Sequence, residues 1–173
     1  MKKKIFVCLF ALMMVFTLTA CGSKNQTKDD RKEITIKDEG YGTTTLKYSK
    51  DKDYEVKEET GGKYKTIKVT SKKENFDLEL YHTDTAIESY RAGKENRKST
   101  KEFKEYTWNN YQGYSYDGTK YMINFNILLK DAEGNSKVLF GSMSYVDYKE
   151  ANVTELFKSE DFQSLLNSIS FTE

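Results

Sequence analysis

Few residues in this chain combine a reactive side chain with a spacing that lets it react. Cys21 comes first. It is one of only two cysteines, and it follows the small pair Thr19-Ala20 at the end of a long apolar run. His82, the single histidine, could serve as an acid/base or a metal ligand, but no cysteine or second histidine stands by to help it. It ends the alternation Phe76, Leu78, Leu80, and is expected on the face opposite those apolar side chains, in a structural or merely exposed role. Asp131-Ala132-Glu133-Gly134-Asn135 offers oxygens at alternate positions, yet lacks the ligand pattern of a calcium loop and reads as a hairpin turn. Ser142, in Gly141-Ser142-Met143-Ser144, falls inside a strand and not at a strand-to-helix elbow. Gly-rich phosphate loops are missing. No residue set is assigned as catalytic or metal-binding, no cofactor is implied, and an enzyme is not expected.

Met1 is followed by Lys2, Lys3 and Lys4 and then by apolar residues from Ile5 to Val15, continued by Phe16 and Leu18. This is a basic n-region feeding an apolar h-region. As a helix, Ile5 to Leu18 rises only about 21 Å, at ~1.5 Å per residue, against a hydrocarbon core of ~30 Å. The run closes in Leu18-Thr19-Ala20-Cys21-Gly22, which resembles the lipobox of bacterial lipoproteins. The resemblance implies that the Cys21 sulfur receives a diacylglyceryl group and that cleavage before Cys21 makes it the new N-terminus. An uncleaved anchor and an ordinary secretory signal are the alternatives. Two acyl chains hold a protein on a membrane where one binds only marginally, with K on the order of 10⁴ M⁻¹. The expected organisation is a signal peptide over 1–20, a lipidated N-terminus and flexible tether over 21–42, and one folded domain over 43–173. The expected place is the extracytoplasmic face of a cell membrane, with the membrane itself as a partner through lipid on Cys21. From Gly22 to Glu33 no large apolar side chain occurs, so that stretch cannot bury enough surface to order itself.

Removing the leader lysines from 28 basic residues leaves 25 against 27 acidic ones, a net of −2. No basic stripe runs through the body, so nucleic acid is not an expected partner. With Cys8 inside the leader and Cys21 carrying lipid, no thiol is left for a disulfide, a thiolate metal site or a nucleophile. Proline is absent, which leaves tight turns to Gly, Asn and Asp.

From Thr43 onward the chain alternates apolar and polar residues: Leu46 and Tyr48, Tyr54 and Val56, Ile67 and Val69, then Phe76, Leu78 and Leu80. These are strands with one buried face, turning at Gly61-Gly62 and Ser71-Lys72-Lys73-Glu74. Thr85-Ala86-Ile87-Glu88 matches a capping box, predicting a surface helix to about Ser99 with a thin apolar stripe of Ile87 and Tyr90. Three strands follow, from Phe103 to Tyr116, Tyr121 to Leu129 and Lys137 to Val146, with turns at Asp117-Gly118 and Glu133-Gly134-Asn135. In the middle strand Ile123, Phe125, Ile127 and Leu129 share one face. A helix capped by Asn152 or Ser159 carries Phe162, Leu165, Leu166 and Ile169 at helical spacing, and Ser168-Ile169-Ser170-Phe171 closes the chain as a strand. The fold class is α+β, a twisted antiparallel sheet flanked by two or three helices in a single domain. This order, with its terminal Leu-Leu-Asn-Ser-Ile-Ser-Phe, resembles the PsbP-like fold, a resemblance that carries no catalytic residues with it.

Trp108, Tyr111, Tyr114, Tyr116 and Tyr121 crowd one hairpin. Aromatics fill the space between sheet and helix, and they also make binding faces. The core reading is preferred, with one or two of the five exposed. Tyr114 and Tyr116 project together, and Tyr121 can pair with them across the turn. If the opposite face packs on a helix, these three form an exposed ladder for a partner. The expected function is a non-enzymatic binding or accessory lipoprotein of the cell envelope or of a membrane complex. The rivals are a small-solute or glycan-binding lipoprotein serving a transporter and, with less support, a cell-wall hydrolase.

Overall fold

The computed structural model describes residues 30–119, 121–147 and 152–173. The lipobox and the leader lie outside the described residues. Among the described residues ten strands and three helices make an α+β fold: β1 (Lys32–Asp38), β2 (Gly42–Tyr48), β3 (Tyr54–Gly61), β4 (Tyr64–Ser71), β5 (Phe76–His82), α1 (Ile87–Arg97), β6 (Lys104–Trp108), β7 (Tyr111–Thr119), β8 (Met122–Lys130), β9 (Ser136–Ser144), α2 (Val153–Lys158), α3 (Glu160–Asn167) and β10 (Ser170–Thr172). Where one sheet was expected there are two. Seven strands run in the order β3-β4-β5-β9-β8-β7-β6, and a three-stranded sheet in the order β1-β2-β10 lies apart from them. All pairings are antiparallel.

Alternation decides which face each side chain takes. On the inner face of the large sheet, Ile67, Val69, Phe76, Leu78, Leu80, Phe125, Ile127, Leu129, Leu139 and Met143 have no solvent exposure. Ile36 and Leu46 of the small sheet, with Phe157, Phe162, Leu166 and Ile169 from the C-terminal helices and just beyond them, close that face into one core. The outer face holds a smaller cluster of Tyr114, Tyr116 and Val138, covered by Tyr90 of α1. The chain crosses that face because β5 lies inside the sheet and β6 at its far edge, so the connection between them must pass over β9, β8 and β7.

Close approach sets two local choices. Phe125 lies over its register partner Gly141, where an added Cβ would stand 2.1 Å from the ring, so only glycine fits. Gly42 has φ 122°, and a Cβ there would meet the Thr172 carbonyl at 2.7 Å, which lets β10 close on β2. At the chain's end Ser159 caps α3, accepting the Phe162 N–H as expected.

Four expectations change. The strand expected from Phe103 to Tyr116 is the β6–β7 hairpin, reversing at Asn109 and Asn110 with φ of 47° and 71°. Positive φ at both central residues suits a two-residue hairpin turn, and Asn tolerates it. Strand β7 runs through Asp117-Gly118 to Thr119 with a bulge, so that pair is not the reversal. Helix α1 begins with Ala86 as N-cap and no side-chain cap; Thr85 bonds the Thr83 hydroxyl instead, so the capping box does not form. Finally, the folded unit starts well before Thr43. Strand β1 occupies Lys32–Asp38, inside the expected tether, and Ile36 and Tyr41 sit in the core. Among the described residues no helix is long and apolar enough to cross a membrane.

Two outcomes follow for stability. A chain starting at Asp30 is expected to unfold cooperatively in a denaturant titration, whereas one starting at Thr43, stripped of β1 and Tyr41, shows a clearly lower midpoint; equal midpoints would mean that β1 does not stabilise the core. Leu166→Ala should cost about 2–5 kcal/mol by the same measurement.

Candidate functional site

Polar groups are almost absent between the two sheets, and one cluster breaks the rule. His82 has even spacing from Phe76, Leu78 and Leu80, so it shares their inward face, contrary to the expectation of the opposite one, and is 2% exposed. Its Nδ1 lies 2.6 Å from Asp38 Oδ2, at the end of β1, and its Nε2 lies 2.8 Å from the Thr44 hydroxyl, on β2. A carboxylate only accepts, so Nδ1 carries the proton, and the neutral ring leaves Nε2 to accept the Thr44 O–H. Asp38 also accepts the Lys65 N–H of β4, at 3.2 Å. Burial pushes the His82 pKa below its ordinary 6.5, although Asp38 pulls the other way. The three side chains therefore tie β1 and β2 to β5.

The arrangement has the order of a hydrolytic triad: carboxylate, imidazole, hydroxyl. Its location rules out that use, because Thr44 has no solvent exposure and its backbone pairs with Phe171. A nucleophile has to reach its substrate.

Tyr41 links this cluster to the surface. The β1–β2 turn, with φ of 73° at Gly40, folds the tyrosine inward so that its ring stacks on His82 with centroids 3.6 Å apart and planes 14° from parallel. Phe171 packs against it edge-on at 6.0 Å. Its hydroxyl is buried with no hydrogen-bond partner. Burial first, then Tyr64 and Asp38 nearby, raise its pKa far above that of an ordinary phenol.

Tyr41 also lines a cleft of about 300 Å³ at the end of the sheets. The other walls are Gly40, Tyr64 at the start of β4, Thr83 to Glu88 between β5 and α1, and Ser136 and Lys137 at the start of β9. The Asp84 carboxylate accepts from Lys63 Nζ at 2.8 Å and from the Tyr64 hydroxyl. These two donors, Lys63 first, hold its pKa below the usual carboxylate range. Lys137 Nζ donates to the Gly40 carbonyl at 3.0 Å and lies 3.7 Å from Glu173.

The expected aromatic ladder is not assembled. Tyr114 and Tyr116 are 2% and 7% exposed, because α1 lies on their face: the Tyr90 ring is 5.3 Å from that of Tyr114, and the Arg97 guanidinium lies 4.3 Å over Tyr116. Tyr121 alone is open to solvent. Trp108 is core as well, its indole N–H donating to Gln163 Oε1 at 2.8 Å. Cys21 lies outside the described residues. Asp131 is the hairpin turn expected, its Oδ1 accepting the Glu133 and Asn135 N–H groups at 3.0 and 2.8 Å. Among the described residues no three His, Cys, Asp or Glu side chains converge to hold a metal.

Sequence reasoning missed Asp38, Tyr41, Thr44, Tyr64, Asp84 and Lys137. The one available signal was Asp-Glu-Gly-Tyr-Gly at 38–42, a large aromatic between two glycines that can take positive φ. Compared with protein-family models, curated proteins and solved structures, the chain finds no match in any of the three.

The chain has a single histidine, so its titration has no competitor of its type. A base whose folded pKa is lowered is protonated more readily in the unfolded chain, so stability is fully present above about 6.5 and falls as pH drops toward the folded value. Denaturant unfolding between pH ~8 and ~5 should show this loss in the wild type and not in His82→Gln. The variant should also be less stable near neutrality, by about 1–3 kcal/mol, since it orphans partners of a buried ring. An unchanged pH profile would contradict the neutral, buried His82.

Proposed function

We propose that this chain is an exported lipoprotein held on the extracytoplasmic face of a cell membrane by lipid on Cys21. Its domain acts there as a non-enzymatic binding or accessory protein of the cell envelope or of a membrane complex. The membrane attachment rests on the ordered n-region, short h-region and Leu18-Thr19-Ala20-Cys21. The binding role rests on the cleft beside Tyr41, a concave site about 300 Å³ in volume walled by Tyr64 and by polar side chains from Thr83, Asp84, Thr85, Ser136 and Lys137. The sheet and helices are read as a PsbP-like sandwich, supported by the order of strands, helix, meander, helices and closing strand.

Catalysis has less support, because the one hydroxyl held by an imidazole is Thr44, sealed in the core. Capture of a small solute or glycan for a transporter is the second reading, and the cleft itself favours it. Among the described residues no second lobe closes over the cleft, so a solute held there stays open to solvent on one side.

With the strand β1 starting at Lys32, the stretch from Cys21 to Arg31 is the length left for a tether, about 36 Å if fully extended at ~3.3 Å per residue. Only Cys21 can carry a thioether lipid near the cleavage point. Cys21→Ala should therefore abolish incorporation of a labelled fatty acid and leave full-length precursor in membrane fractions. Equal labelling of variant and wild type would reject the lipoprotein reading.

A further inference from the structure

Strand β6 forms one border of the seven-stranded sheet, pairing with β7 and with no other strand. The turn at Asn109 and Asn110 fixes how its backbone is oriented. In a two-residue hairpin the residues flanking the turn exchange both of their hydrogen bonds, and from there bonded and non-bonded pairs alternate. Trp108, Tyr106 and Lys104, opposite Tyr111, Gly113 and Ser115, therefore direct their N–H and C=O groups at β7. Glu105 and Thr107 direct theirs outward, and among the described residues nothing bonds them. This border keeps its strand form without a neighbour, because Asn109 ties the hairpin tip to the Ile169 carbonyl.

An open edge is a template for another strand, and proteins commonly blunt it with charge. The sheet's other border, β3, is blunted in that way, with Glu55, Lys57, Glu58 and Glu59 all exposed. Strand β6 carries charge only at Lys104 and Glu105 and continues with Tyr106, Thr107 and Trp108, residues that favour strands.

The two faces beside this edge differ in charge. On the inner side, near α2, Lys101, Lys104 and Lys158 line a cleft of about 120 Å³. At ~30 Å³ per water that is room for roughly four waters, enough for a carboxylate. All three lysines are exposed, and among the described residues none is ion-paired. Glu102 is the one carboxylate in the wall, so three ammonium groups stand against a single negative charge. Elsewhere lysines are matched: Lys52 by Glu74 and Asp161, Lys63 by Asp84, Lys65 by Glu58. The unmatched cluster leaves a local field that attracts an anion. On the outer side, toward α1, Lys94 donates to Glu105 at 2.6 Å, and Thr107 and Gln112 add neutral polar groups.

We infer that the open edge of β6 is a docking site for an extended acidic peptide, a tail or loop of another protein that adds to the sheet as a further strand. Its backbone bonds Glu105 and Thr107. Its side chains opposite Lys104 and Tyr106 are carboxylates that reach the three lysines, and the alternate ones are small polar groups facing Thr107 and Gln112. Backbone bonds then supply affinity and the lysine cleft supplies specificity. The site is separate from the cleft beside Tyr41, and it depends neither on that cleft nor on lipid at Cys21.

The test is fluorescence titration of the full chain in detergent with a labelled nonapeptide that alternates Thr and Glu, with Thr at both ends. The acidic peptide should bind with a Kd of about 1 mM or tighter, and the same peptide with Lys in place of Glu should not. Raising salt from about 0.1 to about 1 M, which shortens the Debye length from ~10 to ~3 Å, should weaken binding about tenfold. Residues directly opposite share a face, so the threonine amides of the probe are the ones that point at β6. N-methylation of those amides should abolish binding, whereas N-methylation of the glutamate amides should leave it. Lys101→Gln with Lys158→Gln, both outside the strand, should weaken binding about tenfold by removing two of the three charges. Thr107→Pro should abolish it with little change in melting temperature, because the lost N–H faces outward from an edge strand.

Absence of binding by the acidic peptide would overturn the inference. So would equal binding of the lysine peptide, indifference to threonine N-methylation, or displacement by inorganic phosphate beyond the effect of matched salt, which would make the cleft a simple anion site. Concentration-dependent dimers of the peptide-free chain that Thr107→Pro dissolves would replace the acidic peptide by a second copy of the chain and overturn it as well.

Discussion

A two-stranded hairpin is marginal alone and β10 adds only three residues to it, so β1, β2 and β10 hold as a sheet while one of their faces stays docked on the seven-stranded one. That contact is mostly apolar; the buried polar bridge across it is the one where Asp38, His82 and Thr44 meet, joined by the Lys65 N–H donating to Asp38 and the Phe171 N–H donating to the Tyr111 hydroxyl. Apolar contact sets no particular register between two sheets, since one aliphatic side chain replaces another at little cost. Hydrogen bonds are directional, and an imidazole held at 2.6 Å on one nitrogen and 2.8 Å on the other fixes where β1 and β2 lie relative to β5. Because both ring nitrogens have partners, the histidine is buried without an orphaned polar atom. Stacked on that ring, Tyr41 inherits its position, and the cleft inherits its wall from Tyr41.

The remaining aromatics work mostly as packing. Tyr106 stacks on Trp108 at 4.8 Å, Trp108 lies against Phe125 at 5.7 Å, and Phe157 and Phe162 continue the cluster beneath α2 and α3. Such large rings need small neighbours. Gly113 would put a Cβ 2.4 Å from the indole, and Gly141 faces Phe125 in the same way. The β6–β7 hairpin tip is tied down as well, since Asn109 donates its side-chain amide to the Ile169 carbonyl at 2.5 Å. The region of the sequence with the highest aromatic density is thus joined to the C-terminal segment by directional bonds and is poorly suited to be a free recognition loop. The cleft lies at the N-terminal end of α1, where polar residues outnumber apolar ones.

Much of the architecture was legible because alternation is a local property. Ile123, Phe125, Ile127 and Leu129 announce their shared face within seven residues, and Ser159 announces the start of α3 by chemistry alone. Parity also places His82 with Phe76, Leu78 and Leu80, so its burial was readable from spacing, while its partners were not. Asp38 and Thr44 stand 44 and 38 residues away, and no local pattern encodes a pairing across that distance. Strand β1 was hidden for another reason. Only Ile34 and Ile36 alternate among its charged residues, and an edge strand with one face exposed has the composition of a tether. Tyr114 and Tyr116 show the limit of face arguments: two tyrosines two apart share a side, but which side is covered depended on the route of α1 over the sheet.

The dependence of small sheet and cleft on one buried imidazole can be measured at its nitrogens. Heteronuclear NMR of the folded protein near neutral pH should show a single neutral tautomer of His82, protonated on Nδ1 by a slowly exchanging hydrogen and unprotonated on Nε2. A proton on Nε2, or an averaged signal from a ring exchanging freely with solvent, would contradict the bridge from Asp38 through His82 to Thr44.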